Sequence, residues 1–309
     1  MLKDTPIETM VKVSKLYYEE EMTQQQIASI LNVSRTTIVN ILNEARKQNI
    51  VQIKVVNPLQ NLHELESLLC QRYDLLDAFV IPDYTDYSFH LREMGNAAAQ
   101  MLLKNVFSGD LIGVGWGKNV LETVKSLPYE HLNNNLEWIP LVGELDYTKP
   151  AFQTNEIAKM CQEKLGGIFF PLTFPAVVDN LSIREVIMTD KSTQLIRKKW
   201  ENLNILLLGI GVPQSNSAVK RIIDNREVLT QNAVGEFVAN CYDKDGNYYA
   251  IESNAVRIGI PFDLLKKPRV RIGIAAEKDK WEAIKVAINT GIINIIVTNQ
   301  GTAEYLLSE

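Results

Sequence analysis

Met22-Thr23-Gln24-Gln25-Gln26-Ile27-Ala28-Ser29-Ile30-Leu31-Asn32-Val33-Ser34-Arg35-Thr36-Thr37-Ile38-Val39-Asn40-Ile41-Leu42-Asn43-Glu44-Ala45-Arg46-Lys47 spells two short helices joined by a tight turn. Thr23 caps the first, and Gln26 three residues on completes a capping box. Ile27, Ala28 and Leu31 then fall on one face at helical spacing. Asn32-Val33-Ser34 breaks the pattern: Asn tolerates turn geometry, Val33 is placed to plug the angle between the helices, and Ser34 caps the second helix. In that second helix Ile38, Ile41 and Leu42 point inward, which leaves Arg35, Thr36, Thr37, Asn40, Asn43 and Lys47 outside. These are hydrogen-bond donors or amphoteric groups concentrated in the first two turns, where a recognition helix meets base edges. The pattern is that of a helix-turn-helix. An ordinary α-hairpin with a polar outer face shares this spacing. The cap-turn-cap order, the N-terminal position and a preceding helix favour the DNA-reading alternative.

The preceding helix covers roughly residues 7–20, with Val11, Leu16, Tyr17 and Tyr18 available to close a three-helix core. Ile50-Val51-Gln52-Ile53-Lys54-Val55 alternates apolar and polar residues and predicts a short strand, the wing of a winged helix, with Lys54 placed to touch a phosphate. Residues 1–56 carry only one net positive charge, so the case rests on where the bases lie: Arg35, Arg46, Lys47 and Lys54 fall on or after the reading helix and the acids, Glu44 apart, before it. The expected DNA contacts are Gln24, Ser34, Arg35, Thr36, Thr37, Asn40, Lys47 and Lys54.

A chain of 309 residues is too long for one such module and long enough for a second domain with a large core. Its hydrophobic content of 46%, charged content of 22% and net charge of −5 are those of a soluble globular protein whose basic face is local. No apolar run reaches the roughly 20 residues that span a membrane, and Met1-Leu2-Lys3-Asp4-Thr5 lacks a signal-peptide core, so a cytoplasmic protein without membrane partners is expected. Cys70, Cys161 and Cys241 are odd in number and far apart, and His63, His90 and His131 share no ligand spacing. Neither a disulfide framework nor a metal site is expected, and no cofactor is called for.

Pro58 marks a boundary. Beyond it Leu59, Leu62, Leu65, Leu69 and Tyr73 trace an apolar stripe interleaved with Glu64, Glu66, Gln71 and Arg72. Such a helix commonly packs on its own domain. Because a helix-turn-helix protein normally binds paired half-sites as a dimer, residues 58–77 are also expected to serve as a linker and joining surface between residues 1–57 and 78–309. From residue 78 the chain repeats strand, turn and helix: strands at 78–81, 110–115, 136–142, 168–172, 204–211, 270–275 and 292–297, with helices at about 89–107, 118–126, 153–165, 279–290 and from 300. That alternation predicts an α/β domain around a largely parallel sheet, with ligands beyond the carboxyl ends of the strands.

Those ends carry the residues able to do chemistry. Gly113-Val114-Gly115-Trp116-Gly117-Lys118-Asn119 follows a strand and opens a helix, so its N–H groups and positive dipole end face a potential anion, and Lys118 adds a mobile charge. The spacing matches neither a dinucleotide fingerprint nor a Walker loop, and glycines also serve plain strand-to-helix turns. Asp179-Asn180 is a polar tip on the apolar stem 174–178. Glu277, Lys278, Asp279 and Lys280 directly follow the strand 270–275, where a phosphate or sugar hydroxyl would be held. Each alone reads as a solvated loop; together they point to a sugar or sugar-phosphate pocket.

The same residues resemble the SorC family of bacterial sugar-binding transcriptional regulators. The resemblance is carried by Tyr17-Tyr18-Glu19, Met22-Thr23-Gln24-Gln25-Gln26-Ile27-Ala28, Ser34-Arg35-Thr36-Thr37-Ile38, Gly109-Asp110-Leu111-Ile112-Gly113-Val114-Gly115-Trp116-Gly117, Ala233-Val234-Gly235-Glu236 with Tyr242-Asp243-Lys244-Asp245-Gly246, and Val297-Thr298-Asn299-Gln300-Gly301-Thr302-Ala303-Glu304. It runs nearly the whole chain in order. Phe174-Pro175-Ala176-Val177-Val178-Asp179-Asn180 and Ile272-Gly273-Ile274-Ala275 with Lys280 are most similar to the sorbose-operon regulators. The resemblance implies a Rossmann-like α/β effector domain similar to sugar-phosphate isomerases and CoA transferases, used for sensing rather than turnover, in a homo-oligomer, dimer or tetramer. It implies an effector site drawn from Gly115, Trp116, Gly117, Lys118, Asn119, Gly143, Glu144, Asp179, Asn180, Gly211, Glu236 and Lys280.

The chain departs from the family pattern in several places. Asn119 stands where relatives often carry Thr or Ser, and Val142 where some place a cation. Gly143-Glu144 replaces a glycine pair, Gly235-Glu236 replaces Gly-Asp, and Thr298-Asn299-Gln300 replaces Thr-Asp-Glu. A pocket that loses a cation and gains a carboxylate suits a free or singly phosphorylated hexose or hexitol, related to sorbose or sorbitol, better than a bisphosphate. The favoured function is a regulator of a carbohydrate-utilisation operon that binds double-stranded operator DNA under control of such an effector. The alternatives are an isomerase-like enzyme using Glu144, Asp179, Glu236 and Lys280 for acid–base work, and a ligand-independent architectural DNA-binding protein that would have no use for the α/β body.

Overall fold

The computed structural model describes residues 6–51, 58–130, 135–144, 153–213, 232–249 and 256–308, and the chain divides into two compact units, Met1–Asn57 and Pro58–Glu309. In the first unit α1 (Ile7–Tyr18), α2 (Gln24–Ile30) and α3 (Arg35–Lys47) pack around Met10, Val13, Ile27, Ala28, Ile38, Ile41, Leu42 and Ala45. The capping box forms as the sequence predicts: Thr23 Oγ1 accepts from Gln26 N at 3.3 Å while Gln26 Oε1 accepts from Thr23 N at 2.9 Å. Asn32 turns with φ at 51°, a left-handed conformation that Asn tolerates. Two details differ from expectation. Val33 is 40% exposed and plugs nothing; the turn closes instead through Val33 N donating to Ala28 O at 3.0 Å. Met10 and Val13 fill the place expected of Val11, which is 37% exposed. Ile50 and Val51 fold back on the core without forming a strand, and the rest of the expected wing, Lys54 included, lies outside the described residues.

The second unit is a doubly wound α/β domain. Its main sheet has, among the described residues, seven strands, all parallel, in the order β1 (Asp77–Ile81), β12 (Ile295–Asn299), β11 (Val270–Ile274), β6 (Ile205–Gly209), β2 (Leu111–Val114), β3 (Glu137–Pro140), β4 (Ile168–Phe169). Strands buried on both faces need near-continuous apolar sequence, and Ile205-Leu206-Leu207-Leu208, each at 0% exposure, supplies it at the centre. One face carries α5 (Tyr87–Asn105), α6 (Lys118–Ser126) and α7 (Thr154–Leu165). The other carries α4 (Pro58–Tyr73), α9 (Lys191–Glu201), α10 (Trp281–Asn289) and α11 (Gln300–Ser308). Helices α5 and α6 approach so closely at Gly95 that a Cβ there would stand 2.7 Å from the backbone of Glu122.

The stripe expected to join subunits is spent within this unit. Leu62 and Leu69 are buried in its core with Leu65 and Tyr73 packed against them. Tyr73 Oη donates to Leu306 O at 2.5 Å, Arg72 to Leu307 O at 2.6 Å, and Glu66 Oε1 accepts from Val80 N at 2.8 Å. The commoner fate of an amphipathic helix prevails because β1 and α11 offer it an apolar surface in the same chain; the side chain of Leu59 lies outside the described residues.

Two antiparallel ribbons complete the domain: β7 (Gly235–Phe237), β8 (Asn240–Tyr242) and β9 (Tyr248–Tyr249) in one, and β5 (Val177–Val178) with β10 (Val256–Arg257) in the other. The chain winds outward through β2, β3 and β4, then returns to β6 and continues through β11 to β12. The strand order therefore reverses between β2 and β6, and in sheets of this kind the crevice that takes a ligand lies beyond the carboxyl ends of the strands at such a reversal.

Candidate functional site

On the first unit, Arg35, Thr36, Asn40 and Asn43 stand exposed along α3, as a face that reads base edges requires. Arg35 is steered: its Nε donates to Gln24 Oε1 at 3.3 Å, so the first residue of α2 orients the first residue of α3. Ser34 and Thr37 are committed to the helix start. Ser34 Oγ accepts from Thr37 N at 3.1 Å and meets Thr37 Oγ1 at 2.8 Å. Lys47 is exposed, 3.9 Å from Glu44. Arg46, outside the expected set, donates to Tyr18 Oη at 3.0 and 2.7 Å and pins α3 to α1.

On the second unit, five of the expected effector residues lie near the carboxyl ends of β2 and β6. Gly115 is buried, its N–H donating to Leu207 O at 2.9 Å. Gly117 takes φ at 116°, a conformation that favours glycine, and opens α6 without a side-chain cap. Gly211 exchanges two backbone hydrogen bonds with Glu236, at 3.0 and 2.9 Å, and a Cβ at 211 would overlap the Glu236 carboxylate. Glu236 is 4% exposed. Burial pushes its carboxyl up to about 7, against the N–H of Ala239, 2.9 Å from Oε2, and the positive charges of Arg257 and Lys280, which all pull it down. Lys280, half-buried, holds Glu277 at 2.6 Å, and burial, which raises the Glu277 carboxyl, is outweighed by that ammonium, so Glu277 sits below its ordinary value.

The other expected residues are placed differently. Trp116 is 8% exposed and belongs to the core, so this position offers backbone and no indole to a ligand. Asn119 is a strut: its Nδ2 donates to Ile274 O at 3.3 Å, tying α6 to β11. Lys118 is exposed and stands 5.5 Å above the Tyr87 ring. Gly143 and Glu144 run beside the β5–β10 ribbon, with Gly143 N donating to Ile258 O at 3.2 Å and Glu144 O accepting from Ala176 N at 2.8 Å. Asp179 and Asn180 are exposed at the far end of that ribbon, and Asn180 is engaged as the cap of α8 (Leu181–Thr189), accepting from Ile183 N at 3.0 Å. The acceptor pair expected at 179–180 is thus not drawn into the crevice by the described residues.

Sequence reading missed Arg257. Its Nε donates to Val238 O at 2.8 Å and its Nη1 to Ile260 O at 3.0 Å, while Nη2 is buried without a hydrogen-bond partner among the described residues. The signal was present: one cation inside the apolar run Val256-Arg257-Ile258-Gly259-Ile260. A groove of about 760 Å³ also opens at the amino ends of β2, β3 and β6, near Leu111, Glu137, Phe170 and Asn204. There Lys199 already pairs with Glu137 at 2.6 Å and covers Phe170, so its charges converge on no ligand position.

The arrangement of a reading helix and a switch-point crevice has counterparts. The family model "Putative sugar-binding domain" matches residues 57–308, and the model of sigma-70 region 4 matches residues 12–48. The chain is 30% identical over 308 residues to a sorbitol operon regulator of Klebsiella pneumoniae, covering 97% of this chain and 98% of that one. It is 26% identical over 307 residues to a deoxyribonucleoside regulator of Bacillus subtilis, covering 97% of each. The crystal structure of the full-length Klebsiella pneumoniae sorbitol operon regulator SorC superposes with a TM-score of 0.75 over 97% of this chain and 99% of that chain. A transcriptional regulator from Streptococcus pneumoniae, 21% identical, shares the fold with a TM-score of 0.73 over 82% of this chain and 98% of its own. Among the described residues no helix is long and apolar enough to cross a membrane.

Proposed function

The chain belongs to the SorC family of sugar-binding transcriptional regulators, and from that premise we propose how it works: it binds operator DNA beside a carbohydrate-utilisation operon in the cytoplasm and changes that binding when a sugar occupies the crevice between β2 and β6. The observation that supports this reading is the reversal of strand order between β2 and β6, with the glycine-opened N-terminus of α6 following β2 and the hydrogen-bonded Gly211–Glu236 pair following β6. N–H groups at Gly117, Lys118 and Asn119 suit an anionic oxygen, and Lys280 adds a cation that needs no fork geometry. Glu236, when ionised, accepts from sugar hydroxyls, which donate. One anion position beside one carboxylate fits a free or singly phosphorylated hexose or hexitol. Arg35, Thr36 and Asn40 read the major groove, Lys47 and Lys54 meet phosphates, and a homo-oligomer sets two reading helices about 34 Å, or a multiple, apart.

The experiment is a thermal-shift screen of sugars and sugar phosphates on the full chain, followed by gel shift of the neighbouring promoter with each hit. A hexose, hexitol or monophosphate that raises the melting temperature and changes the gel shift supports the reading; the absence of any such compound refutes it. A carboxyl near neutrality is also what acid–base catalysis needs, so the same compounds are assayed for turnover. Product formation would favour the enzyme alternative.

A further inference from the structure

The tip of the β7–β8 hairpin is strained. Val238 and Ala239 adopt φ of 43° and 63°, and for a β-branched residue that is a genuine outlier. Both are buried, at 2% and 8% exposure. Left-handed residues in succession are costly and persist only where the surroundings over-determine them. Here the surroundings are specific. Arg257 Nε holds the Val238 carbonyl at 2.8 Å, and Glu236 Oε2 holds the Ala239 N–H at 2.9 Å. On the other side the turn presses on the effector crevice: a Cβ at Gly115 would come within 3.1 Å of Val238 Cγ1. Arg257 also spans to the Ile260 carbonyl at 3.0 Å, and its Nη2 is buried without a hydrogen-bond partner among the described residues. The charge of this enclosed guanidinium favours the ionised form of Glu236.

We propose that Arg257 is a positioning residue of the effector site: it holds the Val238–Ala239 turn, and through it the Glu236 carboxylate, against the Gly115 loop. The inference rests on the crevice being the effector site. The charged and titratable groups that act on Glu236 come from three directions: Arg257 on β10, Lys280 at the start of α10, and Cys241 and Tyr242 on β8, whose own protons burial holds firmly in place. Of the two cations, Lys280 is engaged with Glu277, which leaves Arg257 as the fixed countercharge.

The test is a carboxyl ¹³C titration of the full chain, with the Glu236 signal identified by its loss in Glu236→Gln. In the native chain the midpoint falls near 7. In Arg257→Met it rises by about 1 pH unit or more, because a positive charge that favours the ionised carboxylate is lost. A structural filler would lower stability and leave the midpoint in place, and an unchanged midpoint in Arg257→Met overturns the proposal. Should that variant fail to fold, Arg257→Lys decides: lysine keeps the charge and loses the two-carbonyl fork. Its Glu236 midpoint stays near 7 while hydrogen exchange at Ala239 N–H accelerates about tenfold or more; unchanged exchange overturns the proposal. Sorbitol, which carries no ionisable group, serves as the binding probe and binds more tightly above the midpoint than below it. The titration requires no ligand, so failure of every sugar and sugar phosphate to bind strikes the effector reading, while failure of the midpoint to move strikes this one.

Discussion

At the scale of single residues, the proposed function puts most weight on Arg35 and Glu236, and each has its own signature. Arg35 is exposed and oriented by Gln24, and as the proposed base reader it should lose one bidentate base contact in Arg35→Ala. The expected outcome is a loss of about 1–3 kcal/mol in operator affinity, confined to one base position when substituted duplexes are compared by anisotropy. A uniform loss across sequences would mark Arg35 as a phosphate contact instead. Glu236 writes its signature in pH. Its carboxyl ionises near 4.5 when the chain is unfolded and near 7 when folded, so between those values the folded state binds more protons than the unfolded state. Unfolding free energy therefore falls as pH rises from about 4.5 to 7 and levels off above, by an amount on the order of a few kcal/mol. Urea unfolding at pH 5 and pH 8 should show this fall in the native chain and a much smaller one in Glu236→Gln; equal slopes would contradict the buried, uphill ionisation.

At the scale of elements, α4 shows where sequence reading succeeds and where it stops. The Leu62–Leu65–Leu69 stripe was visible as a helix face, but periodicity says that a face is apolar and not what covers it. The cover is β1 and α11, and α11 lies more than 230 residues away along the chain. Leu69→Ala should accordingly lower the stability of the second unit by about 2–5 kcal/mol, read from the urea midpoint, with the elution volume unchanged. A drop in oligomer size without loss of stability would restore the joining role. Strands and helices of the sheet were legible because β6 and its neighbours are continuous apolar runs and α6 starts at a glycine. The DNA-reading helices were legible because their caps are local, three residues apart. The crevice was legible only in part. Gly115, Gly117 and Glu236 announce themselves by type and position, whereas Trp116 and Asn119 look like ligand groups and are spent on the core and on β11. Arg257 and the Val238–Ala239 turn acquire meaning only when β10 is laid beside β5 and the hairpin is pressed on β2, contacts that no local pattern encodes.

At the scale of the whole molecule, the account joins a ligand crevice in one compact unit to a reading helix in another. A sugar that favours one arrangement of the oligomer must change operator affinity by the same factor by which operator changes sugar affinity, typically about 5–150-fold. The most direct measurement is an anisotropy titration of operator duplex onto the full chain at rising concentrations of a sugar that raises its melting temperature. It is run on the native chain and on Gly211→Val, whose side chain would overlap Glu236 in the crevice. The account predicts that the sugar shifts operator affinity of the native chain by several-fold or more and leaves that of Gly211→Val where it was. Operator affinity that ignores such a sugar in the native chain, or responds equally in both, would contradict it.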